Sequence, residues 1–466
     1  MPMRLLTIFL LSVSLAFGTI SATTNWDVRT TGADTNGGGF DTSSTGTDRS
    51  QQDTAFLAYT DIVIGATTTQ ATSAAHPFDS TSPGNVVNVI SGTGCTVQRA
   101  QVVSVSGVTA TFDVALGTAA STCTANLGGA LATVVAIKAV AVNFNPIYVR
   151  GTFTQTVNVV LSNSVLVIGY TTTHGDGGYA TFTTATNSIA LFTVNNPYAS
   201  FQHLKFTNTA VTRGDAVTTL NTNSTPIVFD CSFDGFHIAL NSYSGGGAGG
   251  LYVANSEIKN STNDAIEVWF QASVQGVWIH NNTGMGINRV NNAGTTHVSD
   301  SIINNNGSDG IGFTGSNISD TYIDHSVLAN NTGSGVNTNA GLRVHASNSI
   351  FYGNGAWGIN TTTDNSTVGV VYLLNNAFGA NTSGTVGNTA STIPGAISTG
   401  QITLTANPFT SATNFALNGT AGGGALLKGA GFPGVFPGGL STGAFDVGAV
   451  QSAGTTASQR ASASVQ

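Results

Sequence analysis

Aligned on one apolar residue per segment, Phe206, Phe233, Ile258, Ile279, Ile303, Leu328, Phe351 and Phe378, the chain repeats at intervals of 27, 25, 21, 24, 25, 23 and 27 residues. Five residues before each anchor stands a second apolar or small residue: Phe201, Val228, Val253, Val274, Val298, Ile323, Ala346 and Leu373. Eight after, in the last six segments, stand Ile266, Ile287, Ile311, Val336, Ile359 and Val386. A repeat of this length buries its apolar side only by stacking each unit on its neighbours, so these positions are expected to form interior columns.

The apolar runs are short and β-branched, and Gly and Asn interrupt every one, which excludes helices and leaves coils of two or three short strands joined by bends. The stacked coils predict an all-β fold, a parallel β-helix with a small all-β N-terminal module and a C-terminal cap. A leucine-rich horseshoe has an overlapping period, but it needs Leu at most interior positions and a helical return. Three residues after the anchor lie Asn282, Asn306, Asn331, Asn354 and Asn381, with Ser261 in the first of the six segments. Asn tolerates left-handed backbone, and its amide can bond the next Asn in a stack, so these five are read as a structural ladder.

Outside the repeat the chain divides into residues 1–22, a signal peptide; 23–135, the N-terminal module; 136–392, the β-helix; 393–451, the cap; and 452–466, a disordered tail. In the module, Ser106-Gly107-Val108 joins two alternating runs as a hairpin turn. The N-terminus carries Arg4, an apolar run from Leu5 to Phe17, and small residues at Ala16, Gly18 and Ala22, a pattern that predicts export to the cell surface or beyond. That run is too short to span a membrane. Cys95 and Cys123 flank an alternating stretch and could pair, while Cys231 occupies an interior position. Only 7% of the residues are charged and the net charge is −8, with no Lys/Arg cluster, which argues against nucleic acid as a partner. Nothing in the sequence calls for a cofactor or a metal, and the oligomeric state is left open.

These repeats resemble the right-handed parallel β-helix proteins of the pectin-lyase-like superfamily. The ending Gly443-Ala-Phe-Asp-Val-Gly-Ala-Val-Gln451 is similar to the Asp-Ile/Val-Gly-Ala close of secreted bacterial and phage-associated members, and the opening NWDVRTTGADTNGGGF with IGYTTTHGDGG looks like the same group. The resemblance implies the fold but no single activity, because such proteins include lyases, hydrolases, epimerases, tailspikes and adhesins. The hydrolase motifs Asn-Thr-Asp, Asp-Asp, Gly-His-Gly and Arg-Ile-Lys and the epimerase motif Asp-Pro-His are absent. Tyr322-Ile-Asp-His-Ser326 is similar to the Trp-Ile-Asp-His of pectate lyases, although Ile323 falls in an interior column and His325 in a bend column.

Register supplies a second set of candidates. Asp264 and Asp309 lie six residues after their anchors, Glu267 nine, Arg289 ten and Trp269 eleven, so they are expected to share one lateral strip. Carboxylates there could serve as acid and base on a glycosidic bond, Arg289 could hold a sugar acid and Trp269 could stack on a sugar. The catalytic candidates are therefore Asp264, Glu267, Asp309 and Arg289, and the carbohydrate-binding candidates Trp269, His280, Arg289, Asp324 and His325. The favoured function is an exported surface that binds polysaccharide or cell-surface glycan without catalysis. A polysaccharide lyase or glycoside hydrolase is the first alternative, and a phage tail or spike component the second.

Overall fold

The computed structural model describes residues 20–138, 141–195, 197–220, 224–242, 249–290, 294–314, 319–338, 342–361, 371–388, 397–431 and 445–451. Most of the expected signal peptide and the whole expected tail lie outside these residues. The chain forms two units, one made of residues up to Asp27 with Thr31–Leu131, the other of Val28–Thr30 with everything from Ala132 onward.

In the first unit, strands Leu57–Ile64, Gln70–Thr72, Thr109–Phe112, Gln98–Ser106, Val86–Ser91 and Thr122–Leu127 close, in that spatial order, into a small antiparallel barrel. Alternation along the strands, reset by a bulge between Tyr59 and Ile62, sends Tyr59, Ile62, Val87, Val89, Ala100, Val102 and Phe112 into its core. The hairpin at Gly107 and Val108 pairs Ser106 with Thr109, and Gly107 takes the positive φ (61°) that a two-residue turn needs. A disulfide joins Cys95 to Cys123. Cys231, in the other unit, is a buried free thiol.

The second unit is a parallel β-helix. A typical coil runs Gln271–Gln275, Trp278–His280 and Ile287–Arg289, contributing one strand to each of three parallel sheets, here called first, second and third. Among the described residues the third has ten strands. The interior columns follow the repeat. Phe206, Phe233, Ile258, Ile279, Ile303, Leu328, Phe351 and Phe378 pair coil to coil in the second sheet, with Phe206 and Phe233 stacked at 4.7 Å and Phe351 and Phe378 at 5.0 Å. Val228, Val253, Val274, Val298 and Ile323 do the same in the first sheet, and Ile266, Ile287, Ile311, Val336 and Ile359 in the third.

Two bends recur with left-handed backbone along the solenoid, and glycine takes the place of a side-chain-bearing residue at Gly276 in the first and at Gly235 and Gly353 in the second. Between the first and second sheets, His203, Asp230, Asn255, Asp300, His325, Asn348 and Asn375 have φ of 45° to 55°. After the second sheet, Asn260, Asn281, Asn305, Asn330 and Ala380 have φ of 53° to 57°. The adjacent asparagines of each doublet thus divide two tasks: Asn305 bends the chain and Asn306 bonds the next coil. The Asn306 amide donates to Asn331 Oδ1 (2.9 Å), Asn331 to Asn354 Oδ1 (3.1 Å) and Asn354 to Asn381 Oδ1 (2.9 Å), while the backbone N–H of Asn306 also donates to Asn331 Oδ1 (3.2 Å). Asn282 bonds Asn306 in the same way. A second ladder two residues before the anchors runs through Ser301, Ser326 and Ser349 to Asn376, each accepting the backbone N–H of the coil before.

The segment after the last coil, expected as a cap, packs along the outward side of the second sheet. Leu404, Phe409, Phe415, Leu417, Leu427 and Val447 cover Val327, Ala329, Ile350 and Ala377, with Ile302 and Ile402 alongside. The Asp-Val-Gly-Ala stretch has a local reason to exist. Asp446 Oδ1 accepts the Gly429 N–H (2.6 Å), Val447 enters the seam, and Gly448, at φ 105°, donates to the Asn348 carbonyl (2.7 Å). A Cβ at Gly448 would stand 2.6 Å from Ile350 Cδ1.

Candidate functional site

The outward column of the first sheet, six residues before the anchors, reads Tyr252, Ser273, His297, Tyr322, His345, Tyr372. Parallel register sets each side chain over the one before, so four rings stack. Centroid separations are 4.7 Å for His297–Tyr322, 4.3 Å for Tyr322–His345 and 4.7 Å for His345–Tyr372, with planes within 13°. Ring faces are largely taken by neighbouring rings, and the edges of His297, Tyr322 and Tyr372 meet solvent, while His345 is half-buried. Two residues earlier on the same strands, Asp320 accepts Arg343 (2.7 Å) and is bonded to His345 Nε2 (3.1 Å). An open hollow of about 290 Å³ lies there, lined by Asp320, Tyr322, Arg343, His345 and Tyr372. A second, of about 340 Å³, lies on the other margin of the rings against Asp324, Ser347, Leu374 and Thr399.

Asp324 and His325 stand at that second margin. Asp324 is bonded to His325 Nδ1 (2.9 Å) and accepts Ser347 Oγ (2.6 Å). Burial works to raise the Asp324 pKa, but these hydrogen bonds outweigh it and hold the carboxyl below its usual range. The ring of Phe445 lies 5.6 Å from that of His325.

The strip around the third sheet is arranged differently from the expectation. Asp264 accepts the Met285 N–H (2.6 Å) and the Asn288 amide (2.7 Å). Asp309 accepts the Ser334 N–H (2.6 Å) and the Asn337 amide (2.9 Å). Asp215 does the same with Ile238 and Asn241. Each carboxylate clips one coil to the next with both oxygens. Glu267 is outward between Asn241 and Asn288, and its side chain has no hydrogen-bond partner among the described residues. Burial first, then the charges of Asp264 and Asp215, push its pKa up; burial also raises that of Asp309, against the opposing bonds from Ser334 and Asn337.

Arg289 does not join the strip. It is 0% exposed, and its guanidinium donates to the carbonyls of Gly294 (2.8 Å), Asp320 (3.1 Å) and Phe270 (3.2 Å), while burial lowers its pKa to about 10. Alternation explains the placement: two residues from inward Ile287, Arg289 lies on the inward face. Trp269, just past its strand, is half-buried, and its backbone N–H donates to Ser242 Oγ. His280 lies on the second sheet, away from both the strip and the ring column. It is buried against Glu257 (3.0 Å) and stacked on Trp278 at 4.1 Å. The aromatic column stands at a constant offset of six residues before the anchors, so the repeat that marks the interior columns carries its signal as well. The described residues hold no cluster of His, Cys, Asp and Glu suited to a metal, and no described helix is long and apolar enough to cross a membrane.

Three parallel sheets with an apolar interior, side-chain ladders at the bends and a column of stacked rings on the outward face of the first sheet define a parallel β-helix protein. Among solved structures the chain is similar to that of pectate lyase Pel9A (17% identity, covering 69% of this chain and 91% of that one, TM-score 0.45). It is also similar to the A-module of Azotobacter vinelandii mannuronan C-5 epimerase AlgE4 (10%, covering 57% and 90%, TM-score 0.40) and to the periplasmic alginate epimerase AlgG (13%, covering 56% and 77%, TM-score 0.35). No family model and no curated protein matches the sequence.

Proposed function

We propose that this protein is exported and binds polysaccharide along the outward face of the first sheet, holding the glycan without cleaving it. The observation that carries the reading is the exposed stack from His297 to Tyr372 with a hollow on each margin. Hydroxyls and ring nitrogens recur there once per coil, about every 4.8 Å, which suits a linear chain of sugars laid across the strands. Arg343 is 40% exposed and has donors beyond the one used on Asp320, enough to meet a uronate carboxylate. Affinity measurements on a panel of uronic-acid and neutral polysaccharides test this. Tyr322→Ala is expected to weaken the best ligand about tenfold, a typical cost for an interfacial aromatic anchor, while leaving the fold intact. Unchanged affinity, or binding to no member of the panel, refutes it.

A second reading, a lyase or hydrolase, is favoured by Glu267 alone, a half-buried carboxyl with a raised pKa and no structural bond. New reducing ends or unsaturated products that disappear in Glu267→Gln would establish it in place of binding alone.

A further inference from the structure

The ring column of the first sheet lacks one rung. Tyr252 is 45% exposed, His297 is exposed, and between them on the intervening coil stands Ser273. With strands about 4.8 Å apart, the strands bearing the two rings are separated by about 9.6 Å. Farther along the column neighbouring rings stand 4.3 to 4.7 Å apart. The gap is therefore about one ring thick, bordered by Tyr252 on one side and on the other by the His297 face that Tyr322 leaves uncovered, with the Ser273 hydroxyl at its floor. Gln271 and Gln275, two residues either side of Ser273, project from the same face of its strand. Gln271 reaches back over Gly250, where a Cβ would meet its Nε2 at 3.2 Å, so its amide borders the Tyr252 side of the gap.

We propose that this gap is a subsite for one pyranose ring, sandwiched between Tyr252 and His297. The inference rests on the reading of the column as a glycan-binding face and adds where one sugar is gripped. From His297 to Tyr372 the rings cover one another, so Tyr252 and the uncovered face of His297 are the ring surfaces beside the gap that a ligand can reach. The C–H faces of a pyranose meet two aromatic faces, and its equatorial hydroxyls meet the amides of Gln271 and Gln275 and the Ser273 hydroxyl. A flat aromatic ligand would fill the same thickness but leave those polar groups without partners. One gripped sugar would fix the register of the rest of the chain against the following rings.

Ser273→Tyr is the informative variant, because it supplies the missing ring and closes the gap while the column beyond stays as it is. With hexasaccharides of (1→4)-linked uronate and of (1→4)-linked glucose as probes, Ser273→Tyr and Tyr252→Ala should each weaken binding of whichever is bound by about tenfold or more. Ser273→Ala should stay within about twofold, as small changes at a surface do. The fold of each variant is checked by circular dichroism, and ring shifts of His297 on titration report contact at the gap directly. Full binding by folded Ser273→Tyr overturns the subsite, and if Tyr322→Ala is then weak, the glycan-binding face itself stands. Weak binding by Ser273→Tyr with full binding by Tyr322→Ala leaves the subsite standing and removes the longer face. Indole displacing the sugar at lower concentration than the free monosaccharide would make the gap a site for flat aromatics and overturn the proposal.

Discussion

Single residues in this chain are set by backbone conformation as much as by packing. Ala380 is the clearest example: it occupies the left-handed bend filled elsewhere by Asn260, Asn281, Asn305 and Asn330, at φ 53°. An alanine there has its Cβ crowded by the carbonyl and no amide to compensate, at a cost of about 1 kcal/mol. Its side chain is exposed, so little packing is at stake. Ala380→Gly and Ala380→Asn should both raise the urea midpoint, by an amount equivalent to about 0.5–1 kcal/mol. A fall in both would mean that the bend is not strained. Arg289 makes the related point for side chains, since one position of alternation decides whether a cation meets a ligand or the carbonyls of its own turns.

At the scale of the element, the ladders hold the coils in register where apolar columns alone would let them slide. Asn331 accepts both the backbone and the amide N–H of Asn306 and donates to Asn354 Oδ1 and to the Ile303 carbonyl (3.1 Å). Asn331→Leu removes these partners inside the bend and should destabilise the protein by about 1 to 3 kcal/mol, the usual cost of buried polar groups left unpaired. Val211→Ala, at a side chain 96% exposed, should change stability by less than about 0.5 kcal/mol. Equal midpoints for the two variants would deny the ladder its role. Asn365, a natural outer-loop control from the sequence, lies outside the described residues. The interior columns were legible because period and alternation depend on residue type alone. The ring column and the inward parity of Arg289 follow from the same period and alternation, whereas the charge of Arg289 alone points outward to a ligand. The Asp264 and Asp309 clips were not legible, because a carboxylate on a bend looks the same whether it faces a ligand or the next coil's N–H. Nor was the C-terminal seam, whose contacts have no period.

For the whole molecule, scarcity of charge makes acid response the property of a few groups. The His280 hydrogen bond, with Lys259 assisting and burial opposing, holds Glu257 at about 2, below its unfolded value of 4.5. Its contribution is complete above about pH 4.5 and is lost as pH falls toward 2, amounting to about 3 kcal/mol at 1.36 kcal/mol per unit. Glu267 and Asp309 are shifted the other way, so protonating them favours the fold and stability rises as pH falls through their raised values. Urea midpoints should therefore rise slightly on acidification through the raised values of Glu267 and Asp309 and then drop as pH falls from about 4.5 toward 2. Asp61, Asp79 and Asp324, also held low by hydrogen bonds, add to that loss, and the drop should be smaller in Glu257→Gln. A steady decline from neutral pH, or an unaltered acid limb in the variant, would contradict this assignment. The C-terminal segment has a further consequence, for force. Hydrogen bonds between coils run along the solenoid axis, so tension on that axis would open an unsupported stack like a zipper, one coil per event. Ile302, Val327, Ile350, Ala377 and Ile402 belong to five successive coils and share one apolar seam with the returning chain. A load on those coils is carried by all five at once, and the seam must strip before any of them can unwind.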